Sequence, residues 1–163
     1  MDKKAIFNEL YNSHHLKVFR LCKGYFIGNE MLANDAKQEI FIKVWENIES
    51  FRNESSISTW LYRITVNTCL VFLRKSSSKK EIATEVFPQT STEQYSDEKD
   101  EQLKKMYQCI NKLDETGKMI ILMILEGIEY REISETVGIN EETLRVRIHR
   151  IKKNLTQCVH ENI

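Results

Sequence analysis

The basic residues near the C-terminus have the spacing with the clearest chemical consequence. Five basic residues and no acidic one lie between Arg145 and Lys153, whereas residues 126–142 hold six Glu and one Arg. At about 100° per residue, a helix through this stretch places Leu144, Ile148, Ile151 and Leu155 on one side and Glu142, Val146, His149 and Lys153 on the other, flanked by Arg145 and Arg150. Arg and His can hydrogen-bond base edges or phosphates, and an exposed Val can meet a thymine methyl. The pattern therefore predicts a helix that reads a major groove; a merely solvated basic helix is the alternative.

The residues before this helix predict the turn that positions it. Residues 130–137 read as a short helix, and Gly138 can adopt the left-handed conformation that ends one. Ile139 is apolar and would fill the gap between two helices. Asn140 is a good N-cap, and the two glutamates after it favour the positive end of the next helix dipole. This order is typical of a helix-turn-helix.

A second candidate surface for nucleic acid lies in the first half of the chain. Apolar spacing predicts a helix from about residue 57 to residue 74 that buries Leu61, Ile64, Thr68 and Phe72. The opposite line holds Arg63, Asn67, Leu70 and Arg74, with Trp60 at its edge. The Arg guanidinium groups can bind phosphates, the Asn amide can hydrogen-bond a base edge, and the Trp ring can stack on a base. Burial of Trp60 in the core is the alternative for that residue.

The preceding predicted helix has the opposite character. Its polar side carries Asp35, Gln38, Glu39, Glu46 and Glu49, with Ile42 and Trp45 among or beside them. An exposed Ile beside a large aromatic residue suggests a protein partner that supplies basic residues. A solvated acidic face is the alternative explanation.

Length and composition place these elements in a mostly helical chain. The 163 residues weigh 19.3 kDa, are 41% hydrophobic and include 1 Pro and 5 Gly, which disfavours a turn-rich sandwich or barrel. No apolar run approaches the roughly 18–20 residues of a membrane span, and the N-terminus lacks a secretory signal. We therefore expect an all-α, cytoplasmic protein.

The chain divides into two modules and a tether. Residues 76–100 carry the only Pro and a Ser/Thr cluster but few apolar residues, which predicts a flexible linker. Three helices are expected in residues 1–75. In residues 101–163 we expect a helix over 119–125 that is buried nearly all round, capped by Asp114, and then the helix-turn-helix.

The remaining reactive side chains predict no catalytic site. Cys22, Cys69, Cys109 and Cys158 lie far apart without a C-x-x-C pair, so four single buried thiols in a reducing compartment are expected. A zinc site built from His14, His15 and Cys22 would lack a tight ligand pair. There is no Gly-rich phosphate loop, paired-carboxylate pocket or metal-ligand cluster. We expect neither an enzyme nor a cofactor.

Three blocks resemble the extracytoplasmic-function (ECF) group of the sigma-70 family of bacterial RNA polymerase sigma factors. DAKQEIFIKVWENIESFR (residues 35–52) is similar to the family's core-polymerase-binding segment, and STWLYRITVN (58–67) to the segment that melts and reads the −10 promoter element. YREISETVGINEETLRVRIHRIKKNL (130–155) is similar to the helix-turn-helix that reads the −35 element. The blocks occur in the family's order, with a short polar tether between the second and the third.

The resemblance implies a role for each candidate surface. The residues implied in core-polymerase binding are Asp35, Gln38, Glu39, Ile42, Trp45 and Glu46, which would dock on the clamp helices of the largest subunit. The residues implied in −10 binding are Trp60, Arg63, Asn67, Arg74 and Lys75, with the loop 53–58 helping to form a pocket for an unstacked base. The residues implied in −35 binding are Thr143, Arg145, Val146, Arg147, His149, Arg150 and Lys153. Further implied partners are the flap of the second-largest subunit and an anti-sigma factor, often membrane-anchored, and no small-molecule substrate is expected.

Departures from the family pattern concern specificity. Val71, preceded by Leu70, stands where relatives often have an acidic or polar residue, which bears on the −10 sequence. Val146 stands at an often polar position, which predicts an altered −35 preference. KLDETGK replaces the usual Pro before the buried helix, and after Ile163 we expect no sensory domain.

Two other functions would use only part of these features. A stand-alone helix-turn-helix regulator accounts for residues 101–163 alone, and such regulators are usually dimers on two-fold sites. A protein-interaction adaptor would have no salt-dependent affinity for DNA.

Overall fold

The computed structural model describes residues 2–78 and 98–161, and this part of the chain is all-α, as predicted. Its seven α-helices are α1 (Lys3–Tyr25), α2 (Glu30–Asn47), α3 (Ile57–Ser78), α4 (Glu98–Asn111), α5 (Glu115–Leu125), α6 (Tyr130–Val137) and α7 (Glu141–Glu161). A 3-10 turn, Ile48–Ser50, follows α2. We call α1–α3 the first module and α4–α7 the second module.

The first module forms where the apolar spacing predicts it. Asp2 caps α1 by accepting a hydrogen bond from the Lys4 backbone N–H at 3.1 Å, and Asn29 caps α2 by accepting one from Leu32 N–H at 3.1 Å. All three helices contribute to the core, in which Val18, Leu21, Ile40, Val44 and the predicted Leu61 are fully buried. Ile64 and Phe72 of α3 are half-buried against this core. The outward sides of α2 and α3 are left for other contacts.

The second module contains the predicted helix-turn-helix, with each predicted cap in place. Gly138 ends α6 at φ +78°, a left-handed backbone that glycine adopts without strain. Asn140 then accepts a hydrogen bond from Thr143 N–H at 2.8 Å and starts α7. Asp114 likewise accepts from Gly117 N–H at 2.7 Å at the start of α5. The α7 residues Leu144, Ile148, Ile151 and Leu155 are buried, so the basic side of α7 faces outward.

The two modules pack against each other mainly where α3 meets α6 and where α1 meets α5. At the second contact the Gly24 backbone comes so close to α5 that a Cβ there would lie 2.4 Å from Leu122 Cδ2. Arg20 Nε reaches Glu126 Oε2 at 2.6 Å nearby. The nearly all-round burial of α5 arises because one side packs in its own module and another on α1; Leu125, at its end, is 59% exposed.

The predicted linker is partly helical at its ends. The helix α3 continues to Ser78 and α4 begins at Glu98, so three residues at either end of 76–100 belong to helices. The rest of the predicted linker, 79–97, lies outside the described residues, and its flexibility stays a prediction. Every helix in the described part of the chain is too short or too polar to span a lipid bilayer.

The prediction of four single thiols was wrong for one pair. Cys109 of α4 and Cys158 of α7 form a disulfide with their Cα atoms 5.9 Å apart. Their sequence separation of 49 gives no signal, because only the packing of α4 on α7 brings them together. Cys22 and Cys69 are free and buried, with their sulfurs 3.6 Å apart. The Cys69 thiol donates a hydrogen bond to Cys22 Sγ. This hydrogen bond and burial raise the pKa of the Cys69 thiol. Among the described residues no His/Cys/Asp/Glu group suited to a metal occurs.

Candidate nucleic-acid and protein interfaces

The outward side of α7 is a continuous basic surface, which we call the upstream face. It consists of residues Thr143, Arg145, Val146, Arg147, His149, Arg150 and Lys153, and all of them are exposed. Val146 is 51% exposed in the middle of these residues. Arg145 Nη2 lies 3.4 Å from Glu141 Oε2 one turn earlier, a weak surface pair that solvent screens. The described chain therefore leaves this helix free to enter a groove.

The outward side of α3 carries the second predicted set, Trp60, Arg63, Asn67, Arg74 and Lys75, which we call the downstream face. Arg63 and Asn67 are exposed one helical turn apart, and Arg74 and Lys75 are exposed near the end of the helix. Trp60 is half-buried, with its ring centroid 5.4 Å from that of Phe51. Core packing and nucleic-acid stacking, the two alternatives for Trp60, therefore both apply in part, because one portion of the ring packs while another stays accessible.

The start of α3 makes polar contacts with α6 that no sequence pattern predicts. Ser58 Oγ donates to Glu132 Oε1 at 2.5 Å, and Thr59 Oγ1 donates to Glu135 Oε2 at 3.3 Å. Arg63 Nη2 donates to the backbone carbonyl of Glu135 at 2.5 Å. Burial, with smaller contributions from the Glu132 and Glu126 charges, raises the pKa of Tyr62 to about 12. Arg63 of the downstream face, together with the two residues that precede this face, thus contacts the first helix of the helix-turn-helix.

The polar side of α2 lies beside an aromatic groove of about 510 Å³. We call its residues Asp35, Gln38, Glu39, Ile42, Trp45 and Glu46 the acidic face. Ile42 is 56% and Trp45 is 41% exposed. The ring of Phe7 in α1 meets that of Trp45 edge-on at 5.3 Å, and Lys3 Nζ lies 4.4 Å above the Trp45 ring. Acidic side chains next to exposed apolar groups fit a protein partner with both basic and apolar residues.

Together these surfaces define a class of protein: an all-α, two-module nucleic-acid-binding protein with a separate surface for a protein partner. The basic helix of a helix-turn-helix lies on one module, and an Arg/Asn/aromatic surface lies on the other. The acidic face is distinct from both.

Comparisons with known proteins agree with this class. The family model for Sigma-70 region 2 matches residues 10–79, and that for Sigma-70, region 4 matches residues 103–155. The ECF RNA polymerase sigma-E factor of Haemophilus influenzae is 34% identical over 165 residues, covering 93% of this chain and 86% of that protein.

Two solved structures share the fold. CnrH in complex with the cytosolic domain of CnrY has a TM-score of 0.74 at 17% identity and covers 98% of this chain and 91% of its own. The sigma factor RpoE in complex with the anti-sigma factor NepR from Bartonella quintana has a TM-score of 0.66 at 21% identity. This match covers 96% of the present chain and 98% of the RpoE chain.

The chain belongs to the sigma-70 family, in its ECF group. It is a promoter-recognition subunit that binds RNA polymerase.

Proposed function

We propose that the three faces divide the work of promoter recognition. The acidic face docks on core RNA polymerase, the downstream face binds the −10 element and the upstream face binds the −35 element. The observation that carries this division is the presence of separate nucleic-acid-type surfaces on two modules, each exposing Arg at helical spacing. A stand-alone helix-turn-helix regulator would leave the first of these surfaces without a role.

On the first module, the proposal assigns the −10 contacts to side chains of the appropriate chemistry. Arg63 supplies a guanidinium for phosphate, and Asn67 supplies an amide for a base edge one turn later. Trp60 offers a ring for stacking, and Arg74 and Lys75 extend the positive charge along α3. The exposed Val71, 39% accessible, adds an apolar surface beside this line. We infer that it shapes the preferred −10 sequence.

On the polymerase side, we propose that the acidic face meets the clamp helices of the largest subunit and the second module meets the flap of the second-largest subunit. An exposed Ile and Trp beside carboxylates support an interface with an apolar centre and a charged rim. Polymerisation chemistry then belongs to the polymerase, and this chain supplies no catalytic residue. We place its action in the bacterial cytoplasm. An anti-sigma factor, membrane-anchored in many such systems, is the proposed regulator, and the relative solved with NepR supports it.

Run-off transcription tests this proposal. Bacterial core polymerase is mixed with a pool of promoters from the protein's own genome, with and without the chain. New start sites that depend on the chain are expected. If no new starts appear but the chain alone binds specific duplex DNA, the stand-alone regulator replaces this proposal.

Ile42→Asp is expected to weaken binding to core polymerase by about tenfold or more, because docking would then bury an unpaired carboxylate in place of an apolar side chain. Affinity is measured by fluorescence anisotropy of the labelled chain titrated with core enzyme. Met31→Asp is the matched control, since Met31 lies on the same helix, is 80% exposed and is outside the acidic face. Equal losses in the two variants would contradict the assignment.

Arg150→Ala is expected to reduce promoter use about tenfold on templates with a −35 element, through loss of one Arg contact with DNA. On templates whose upstream element has been replaced, the variant and the unchanged chain should perform alike. Lys152→Ala removes an exposed positive charge from the same helix outside the upstream face and serves as the control. A loss of the same size on both templates would refute the role of Arg150.

A further inference from the structure

The Cys109–Cys158 disulfide is a large part of what attaches α4 to the rest of the second module. The helix α4 packs chiefly on α7. Among the residues of α4, Glu98–Asn111, only Cys109 and Ile110 are buried, and residues 98–104 are exposed. Lys118 Nζ also donates to Asn111 Oδ1 at 2.8 Å, which ties the end of α4 to α5. The packing of α4 on α7 therefore depends largely on one isoleucine and one covalent bond.

On α7, the disulfide lies just beyond the upstream face. Leu155 is the last buried residue of this helix, and Cys158 is half-buried. Cys158 follows Lys153, the last residue of the upstream face, by five positions. In an α-helix each carbonyl accepts a hydrogen bond from the N–H four residues later, so residues 154–157 complete the turn that carries Arg150 and Lys153. The disulfide thus anchors the turn on which the end of the upstream face depends.

The two cysteine pairs of the chain differ in their access to solvent. Cys22 and Cys69 are fully buried thiols. Their hydrogen bond and burial raise the pKa of the Cys69 thiol, and thiols of this kind are inert. Cys158 is half-buried, whereas Cys109 is buried, so a small thiol can reach the Cys158 sulfur. The bonded pair is therefore the one that is open to thiol exchange.

We propose that Cys109 and Cys158 form a reversible thiol–disulfide switch for the upstream face. This inference rests on the proposed function of that face and on the proposed action in the cytoplasm, where disulfides are usually transient and often sense redox changes. The oxidised chain holds the end of α7 in the order that −35 binding requires. Reduction releases α4 from α7, and the last turns of α7 fray because a helix end without packing is only marginally stable.

The switch operates by ordinary thiol exchange. The thiolate of a cytoplasmic thiol attacks Cys158 Sγ, a mixed disulfide forms as the Cys109–Cys158 bond breaks, and Cys109 leaves as a thiolate that takes up a proton. A second thiol of the reductant then displaces Cys158, which also ends as a thiol. Two electrons have passed to the cysteine pair, and the reductant has become a disulfide. Oxidation by a small disulfide runs the same steps in reverse.

Reversibility and local release are measured on the full chain. The chain is equilibrated with reduced and oxidised glutathione at varied ratios, quenched with acid, denatured and labelled with a maleimide polymer. The oxidised chain takes two labels and the reduced chain four, because Cys22 and Cys69 are free in both. We expect the four-label form to replace the two-label form as the ratio rises. Hydrogen exchange in α4 and in residues 154–161 should be at least tenfold faster in the reduced chain.

The effect on the upstream face is measured by run-off transcription with the oxidised and the reduced chain. Reduction is expected to lower promoter use about tenfold on templates with a −35 element, which corresponds to an ordered end of α7 in about one reduced molecule in ten. On templates whose upstream element has been replaced, the two forms should perform alike. The variant Cys109→Ser with Cys158→Ser should stay at the reduced level in both buffers, and it reveals any effect of the reductant on the polymerase itself.

Three results would overturn the inference. A disulfide that persists in the folded chain at every glutathione ratio would be a permanent cross-link. A reduced chain that equals or exceeds the oxidised chain on templates with a −35 element would show that the bond does not support the upstream face. Equal losses on both kinds of template would show that reduction unfolds more than the end of α7. In each case the starts driven by the oxidised chain leave the proposed function standing, whereas an oxidised chain without new starts refutes both.

Discussion

Run-off transcription by core polymerase is expected to fall about 100-fold when Arg63→Ala and Asn67→Ala are combined. Each residue is assigned one contact with the −10 strand. A hydrogen bond between Arg63 and a phosphate contributes about 1.5–3 kcal/mol, and a good amide contact between Asn67 and a base contributes about 1–3 kcal/mol. Loss of two such contacts therefore lowers promoter use by about two orders of magnitude. The measurement is the yield of full-length transcript from a promoter that depends on the chain.

The chain offers a matched control for this double variant. Lys4 and Asn8 are also a basic residue and an Asn four positions apart, exposed on α1 away from the downstream face. Lys4→Ala with Asn8→Ala should leave the transcript yield unchanged. A double variant of Arg63 and Asn67 that still supports full transcription would show that the −10 contacts lie elsewhere.

Asn67→Ala alone separates promoter recognition from the contact between the modules. Arg63 also donates to the Glu135 carbonyl, so its removal loses a DNA contact and also weakens the packing of α6 on α3. The Asn67 change should lower transcription without enlarging the radius of gyration. The Arg63 change should lower transcription and enlarge it.

Reduction of the Cys109–Cys158 disulfide is expected to lower the free energy of unfolding by about 4 kcal/mol. The bond closes a loop of 49 residues, and a cross-link over about that length restricts the unfolded chain by that amount on the chain-entropy account. Urea unfolding of the full chain is followed with and without a reducing agent. The change appears as a lower midpoint with a steeper slope, because the unfolded chain without the cross-link is less compact.

The paired variant Cys109→Ser with Cys158→Ser is the control for reduction. Under oxidising conditions it should unfold at the midpoint of the reduced wild type, and a reducing agent should not shift it further. Cys22 and Cys69 are buried with their sulfurs adjacent, so they should resist alkylation until the first module unfolds. If the reduced wild type proves as stable as the oxidised protein, the Cys109–Cys158 disulfide does not stabilise the fold.

Local features of the fold were predictable from sequence because their causes are local. Gly138 and Asn140 determine where α6 ends and α7 begins through a left-handed turn and a side-chain cap. The heptad-like spacing of Leu144 and Ile148 determines which side of α7 is buried. Once that side is known, exposure of Val146 follows from helix geometry. The exposure of Ile42 on α2 was predicted on the same basis.

The relationships between distant segments were not predictable in this way. The run 119–125 indicated a helix buried nearly all round, but nothing in it identifies α1 as one of its neighbours. The contact of Ser58 with Glu132 joins residues 74 positions apart, and each is an ordinary polar residue of its own helix. The disulfide likewise depends on helix packing and has no spacing signature.

The close packing of Gly24 on Leu122 has a consequence for the order in which the protein is made. Leu122 is 44 positions after Ser78, the last residue of the first module. A ribosome adding about 5–20 residues per second needs roughly 2–9 s to cover that distance. During those seconds the first module has emerged with the surface around Gly24 uncovered. Translation therefore leaves this part of the first module open to solvent until α5 has been made.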